Sequence, residues 1–202
     1  MEQQDNRYSK EKFKKLWGMI GTREGKDSVL EYLEKSDYFR CPASSKFHCA
    51  YEGGLLEHSI RVAEKLIELS GKNGIVWEDL CSPIVIGLLH DICKTHFYKV
   101  EYRNAKDESG KWVQVPYYSV EDRMPIGIHG DKSVMLIQQL GMKLTSEELY
   151  CIRYHMGAYE GKEVLTSLGL AKKKYPNILW VCLADEMASL EEEGVVISKN
   201  EC

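Results

Sequence analysis

Apolar residues along this chain recur mostly three and four positions apart, the period of one buried face of an α-helix. Phe13, Leu16, Trp17 and Ile20 form one such stripe, and Val29, Leu30, Tyr32 and Leu33 a second, with a break at Gly21 to Gly25 between them. Residues 39–45 read as a loop, because Pro42 disfavours helix in the residue before it and the serines compete for backbone bonds. Gly53-Gly54 then releases a long helix, expected over Leu55 to Leu69 and ended by Ser70-Gly71. Its inner face carries Leu55, His58, Val62, Leu66 and Leu69. The next helix is expected over Trp77 to His90, with Pro83 in its first turns.

From Phe97 the period changes. Residues 97–103 and 112–118 are rich in strand formers and flank Asp107-Glu108-Ser109-Gly110, which predicts a β-hairpin over about 97–119, with Pro116 placing the second strand at an edge. Helical spacing returns with Val134, Leu136, Ile137 and Leu140, and His129 stands at the start of that helix. Thr145 and Glu148 form a capping box for a further helix, expected to run through Cys151, Ile152 and His155 and to stop near Gly157. Residues 160–174 are polar and variable-looking, and no element is assigned to them. A last long helix follows Tyr175-Pro176 and holds Asp185 within its apolar surface, and residues 191–202 read as an acidic helix end and a loose tail.

The predicted class is therefore mostly α: a helical bundle with an inserted β-hairpin. The expected organisation is an N-terminal helical extension over 1–46, a main domain over 47–193 and a tail over 194–202. The sequence has 202 residues, 44% of them hydrophobic, which suits one globular domain with a good core. A net charge of −4 disfavours a charge-driven hold on long duplex nucleic acid. The polar N-terminal residues and the absence of a long apolar stretch lead us to expect a cytoplasmic protein with no membrane partner. Seven cysteines without a Cys-x-x-Cys pair describe neither a zinc ribbon nor a disulfide framework.

Chemistry concentrates where the apolar run Ile84 to Leu89 ends in His90-Asp91-Ile92-Cys93-Lys94. An imidazole and a carboxylate carried into a dry interior need partners. Neighbouring residues on a helix point about 100° apart, so His90 and Asp91 share one ion only at the helix edge. The competing reading is an ordinary helix end, with Asp91 paired to Lys94. His58, His129, His155 and Asp185 also fall in or beside apolar helical patterns, so most of the histidine in the chain is spent on core-facing positions.

The order His58, then His90-Asp91, then Asp185, each on its own helix, resembles the HD-domain superfamily of metal-dependent phosphohydrolases. That resemblance implies one metal ion held by His58, His90, Asp91 and Asp185. His129 and His155 match the further histidines of two-metal members, in which the aspartate of the pair bridges both ions. Residues 47–59, His90 to Lys94 and Ile152 to Gly157 are also similar to the HD domain of YhaM-type 3′-to-5′ exoribonucleases and to small stand-alone HD proteins of Firmicutes and their phages. Those exoribonucleases carry a separate OB domain that this chain has no room for, which shifts the expected substrate to a nucleotide, another small phosphate ester or a short single strand. Cys93 stands where the family usually has glycine.

The function implied is hydrolysis of a phosphate ester, with one or two divalent ions drawn from Mn, Fe, Co, Ni or Zn. Asp91 and Lys94 are the expected catalytic groups, Lys94 neutralising charge on the phosphoryl oxygens. His48, Lys132, Tyr98 and Arg103 are secondary candidates for substrate contact, each with an ordinary surface or packing role as the alternative. Two rivals remain at this stage: an HD-fold di-iron oxygenase, and a non-enzymatic nucleotide-sensing module.

Overall fold

The structure is a computed structural model, and it describes residues 8–124 and 126–196. Among these, eight α-helices and one two-stranded antiparallel hairpin are formed: α1 (Lys10–Met19), α2 (Lys26–Lys35), α3 (Gly54–Asn73), α4 (Ser82–Leu89), β1 (Tyr98–Lys106), β2 (Trp112–Val120), α5 (His129–Gln139), α6 (Ser146–Arg153), α7 (Lys162–Lys174) and α8 (Ile178–Glu192). The expected class, a helical bundle with an inserted hairpin, is the class observed.

Helix α4 is buried along its whole length, as its uniformly apolar sequence requires. It lies in the middle of the bundle, packed on α3, with α8 on another side of α3 and α5 against α6. Gly87 makes the α3–α4 approach close, since a Cβ there would stand 2.3 Å from the Ala63 Cα. Phe13, Leu16 and Trp17 of α1 and Val29 and Leu33 of α2 belong to the same core. The segment after α2 also grips the far end of α4: the fully buried Tyr38 donates from its hydroxyl to the Leu88 carbonyl (2.6 Å), and Asp37 accepts from the His96 backbone N–H (2.8 Å).

Four boundaries differ from the sequence expectation, each for a local reason. Helix α3 runs through Ser70-Gly71 to Asn73, because the left-handed residue that ends it is Gly74 (φ 61°) and the Ser70 hydroxyl is occupied by the Leu66 carbonyl and the Trp77 indole. Helix α4 begins at Ser82 rather than Trp77: Pro83 fits only the first turn, and Asp79 caps a turn ahead of it through the Cys81 N–H. Helix α6 stops at Arg153, and His155 lies in the turn beyond. Residues 162–174, for which the sequence pattern predicts no element, form α7, which buries only the narrow stripe Val164, Leu168 and Ala171 and leaves Leu165 and Leu170 exposed.

The hairpin runs in register from Tyr98 opposite Val120 to Lys106 opposite Trp112, and Asp107 closes its turn by accepting from the Ser109 and Lys111 N–H groups. The Thr145–Glu148 capping box is formed as expected. Of the tail expected over 194–202, residues 197–202 lie outside the described residues. No helix among the described residues is long and apolar enough to cross a membrane.

Candidate metal centre

Five helices and the turn after α4 bring the expected residues to one point. His58 comes from the first turns of α3, His90 from the residue just after α4, and Asp91 from the turn that follows. His129 opens α5, His155 follows α6, and Asp185 sits midway along α8. Gly130 is what sets His129 beside His155: a Cβ on it would stand 2.1 Å from the Arg153 carbonyl, so only glycine lets the first turn of α5 press on the end of α6. The two rings end with centroids 5.3 Å apart.

Each of the four imidazoles has its Nδ1 engaged: carbonyl or carboxylate oxygens accept from His58, His90 and His155, and a thiol stands beside that of His129. His90 Nδ1 donates to the Gly87 carbonyl (2.9 Å) and His155 Nδ1 to the Ile152 carbonyl (2.7 Å). His58 Nδ1 lies 3.2 Å from both carboxylate oxygens of Glu192, and His129 Nδ1 lies 3.3 Å from Cys93 Sγ. The Nε2 atoms face inward, and they converge. His58 Nε2 and His90 Nε2 are 3.2 Å apart, and Asp185 Oδ1 is 3.0 Å from the former. Asp91 faces both ways: Oδ2 is 3.4 Å from His90 Nε2, while Oδ1 meets His129 Nε2 and is 3.5 Å from His155 Nε2. His155 Nε2 is buried with no hydrogen-bond partner among the described residues.

Two imidazole nitrogens at that separation, beside two carboxylates, form a cradle for positive charge. The electrostatics agree. Burial pushes the His58 imidazole down, but Asp185 and Glu192, one on each ring nitrogen, outweigh it and lift the group to about 10. Burial likewise raises the Asp91 carboxyl, and Lys94, His90 and His129 together overcome this and hold it well below the usual carboxylate range. The donor set fits divalent transition metals: His58, His90 and Asp185 form one cluster of ligand atoms and His90, Asp91 and His155 the next.

Lys94 does not stand over His90 as regular helix would place it. The chain leaves α4 at His90 and makes a tight 3-10 turn over Ile92–Lys94, which returns the ammonium to Asp91 Oδ2 at 2.6 Å. The partly open parts of the cluster are the side chains of His129 (25% exposed), Asp185 (15%) and Lys94 (12%), so approach from outside is on that side.

The secondary candidates divide. The ring of His48 lies 4.8 Å from that of His58, and burial followed by the His58 and Lys94 charges pushes its imidazole down to about 4. Tyr98 is largely buried near Lys94 and donates to the Ala43 carbonyl (3.2 Å). Lys132 is turned to Asp122 and pairs with it. Arg103 is exposed on the hairpin over the Tyr117 ring. Sequence reasoning missed Glu192, taken as part of an acidic helix end. It is 1% exposed, and its spacing of two helical turns beyond Asp185 on α8 was the available signal.

The family model for the HD domain matches residues 55–195. No curated protein and no solved structure matches the chain.

Proposed function

The chain belongs to the HD-domain family, and on that premise we propose that it is a metal-dependent phosphohydrolase that cleaves a phosphate ester of a nucleotide or a short oligonucleotide. The observation that supports this most directly is the convergence of four imidazole Nε2 atoms on Asp91 and Asp185, with each opposite nitrogen already committed. His58, His90, Asp91 and Asp185 would hold one divalent ion, and Asp91, His129 and His155 a second. Such ions supply Lewis acidity and, by lowering the pKa of water, a nucleophile at neutral pH.

The chain's own groups do the rest. The carboxylates stay ionised because cationic partners outweigh burial at both. The Nδ1 partners hold the rings in orientation, so little reorganisation is needed when charge develops. Lys94, tied to Asp91 at the partly open rim, puts a fixed ammonium where phosphoryl oxygens acquire charge.

Elemental analysis of purified protein and of the double variant His90→Ala/Asp91→Ala tests the metal, with one to two ions per chain expected only in the former. Hydrolysis of bis-(p-nitrophenyl) phosphate or its monoester analogue, stimulated by Mn or Co and abolished by Asp91→Ala, tests the chemistry. Equal metal in both preparations, or activity unchanged in Asp91→Ala, overturns the reading.

A further inference from the structure

The ligand sets named above offer nitrogen and oxygen donors and no sulfur, yet a thiol stands against the second of them. Cys93 is the middle residue of the 3-10 turn Ile92–Lys94, two positions after Asp91, and its backbone N–H donates to the Ser133 hydroxyl of α5 (3.3 Å). That bond ties the turn to the helix that His129 opens, so Asp91, Cys93 and His129 ride on two segments fixed to each other. Their ligand atoms lie within 4.8 Å of one another.

The sulfur is also placed unlike those of other cysteines. Cys41, Cys81 and Cys182 turn theirs to the carbonyls of Tyr38, Met19 and Tyr154, and Cys49 turns its own to the Tyr51 hydroxyl. Cys93 Sγ faces the His129 ring, 3.3 Å from Nδ1 and 3.9 Å from Nε2. A separate observation points to an ion at the same place. His155 Nε2, on a side chain with no exposure and without a hydrogen-bond partner among the described residues, is 3.5 Å from Asp91 Oδ1, the oxygen that also meets His129 Nε2. In a tetrahedral site with nitrogen and oxygen about 2.1 Å and sulfur about 2.3 Å from the ion, neighbouring donors stand roughly 3.4–3.6 Å apart. The separations of 3.5 Å from His155 to Asp91 and 3.9 Å from Cys93 Sγ to His129 Nε2 come close to that spacing.

We propose that Cys93 is a ligand of the second ion, completing a set of one sulfur, one carboxylate and two imidazoles with Asp91, His129 and His155; this deepens, and rests on, the reading of the cluster as a metal centre. The thiol gives up its proton to solvent as the sulfur bonds the ion, and no electron is transferred. A thiolate among the donors selects zinc over manganese at this position, because manganese is suited by oxygen donors.

The test is cobalt(II) titrated into the metal-free full chain under a phosphine reductant without air. Sulfur-to-cobalt charge-transfer absorption in the near ultraviolet should grow as the ion binds, vanish in Cys93→Ser and Cys93→Ala, and remain in Cys182→Ser. Zinc affinity, measured by chelator competition, should fall in Cys93→Ser by at least the roughly tenfold that loss of an outer partner costs, and manganese affinity should fall less. Serine keeps a hydrogen-bonding atom beside His129 Nδ1, so a cysteine that only orients this ring would give no charge-transfer band and near-normal zinc affinity in Cys93→Ser; that result overturns the proposal. Protection of Cys93 from alkylation by bound zinc, mapped by peptide mass on the unsubstituted chain, decides the same question even if the variants fail to fold, and alkylation at one rate with and without zinc overturns it. Cobalt bound without the band rejects Cys93 as a ligand and leaves the metal centre standing, whereas no cobalt bound overturns both.

Discussion

Glu192 gives the sharpest test of how the cluster is held. Its two oxygens lie 3.2 Å from His58 Nδ1, its side chain is 1% exposed, and the Arg61 guanidinium is 3.7 Å from one of those oxygens. Glu192→Ala removes the only carboxylate that fixes the protonated nitrogen of His58 among the described residues, and leaves a buried N–H unsatisfied. Outer partners of metal-bound histidines are typically worth 10- to 100-fold in metal affinity, or about 1.4–2.7 kcal/mol. Glu192→Gln keeps an acceptor oxygen but not the charge, so it should lose less than about tenfold on the same scale. Affinity is measured by competition with a chromophoric chelator, and the melting temperature of metal-free protein is followed in parallel. A merely structural role would lower that melting temperature in both variants and leave metal affinity alone. Unchanged affinity in Glu192→Ala would refute the reasoning.

Three further outcomes are expected. Lys94→Ala should lower kcat by about 2–4 kcal/mol of transition-state stabilisation and, because it strands the buried Asp91 carboxylate, lower the melting temperature too; Lys94→Arg should recover stability more than turnover, and full turnover in both would remove Lys94 from the mechanism. Gly87→Ala should destabilise by about 1–3 kcal/mol in a denaturant titration by prising α4 from Ala63, whereas Gly18→Ala, with open space around it in α1, should be neutral or stabilising by up to about 1 kcal/mol; equal effects would show that the α3–α4 contact is not tight. The His48 imidazole titrates at about 4 when folded and near 6.5 when unfolded, so the unfolded chain binds the extra proton between those values; up to about 3 kcal/mol of stability present at pH 7 is lost as pH falls from about 6.5 to 4, and His48→Gln should flatten that slope in urea melts.

Much of the fold was legible in the sequence, because helices announce themselves by local spacing. The stripes at Phe13 to Ile20 and Leu55 to Leu66, the capping box at Thr145 and the hairpin turn at Asp107 depend on neighbours within a few residues, and each formed where its spacing put it. Helix α7 was not legible, since three buried residues in a lysine-rich stretch become a face only once a partner covers them. The candidate ligands could be named one by one, as polar groups at apolar positions and by their order along the chain. What sequence could not supply was their mutual distance. That was decided by two glycines that allow close backbone approach, by a 3-10 turn that folds Lys94 back on Asp91, and by α8 carrying Glu192 to the rear of His58. Residue type and period are local properties of a chain, whereas the meeting of His58, Asp91 and Asp185 is a property of α3, α8 and the turn after α4 packed together, and only the tertiary structure fixes it.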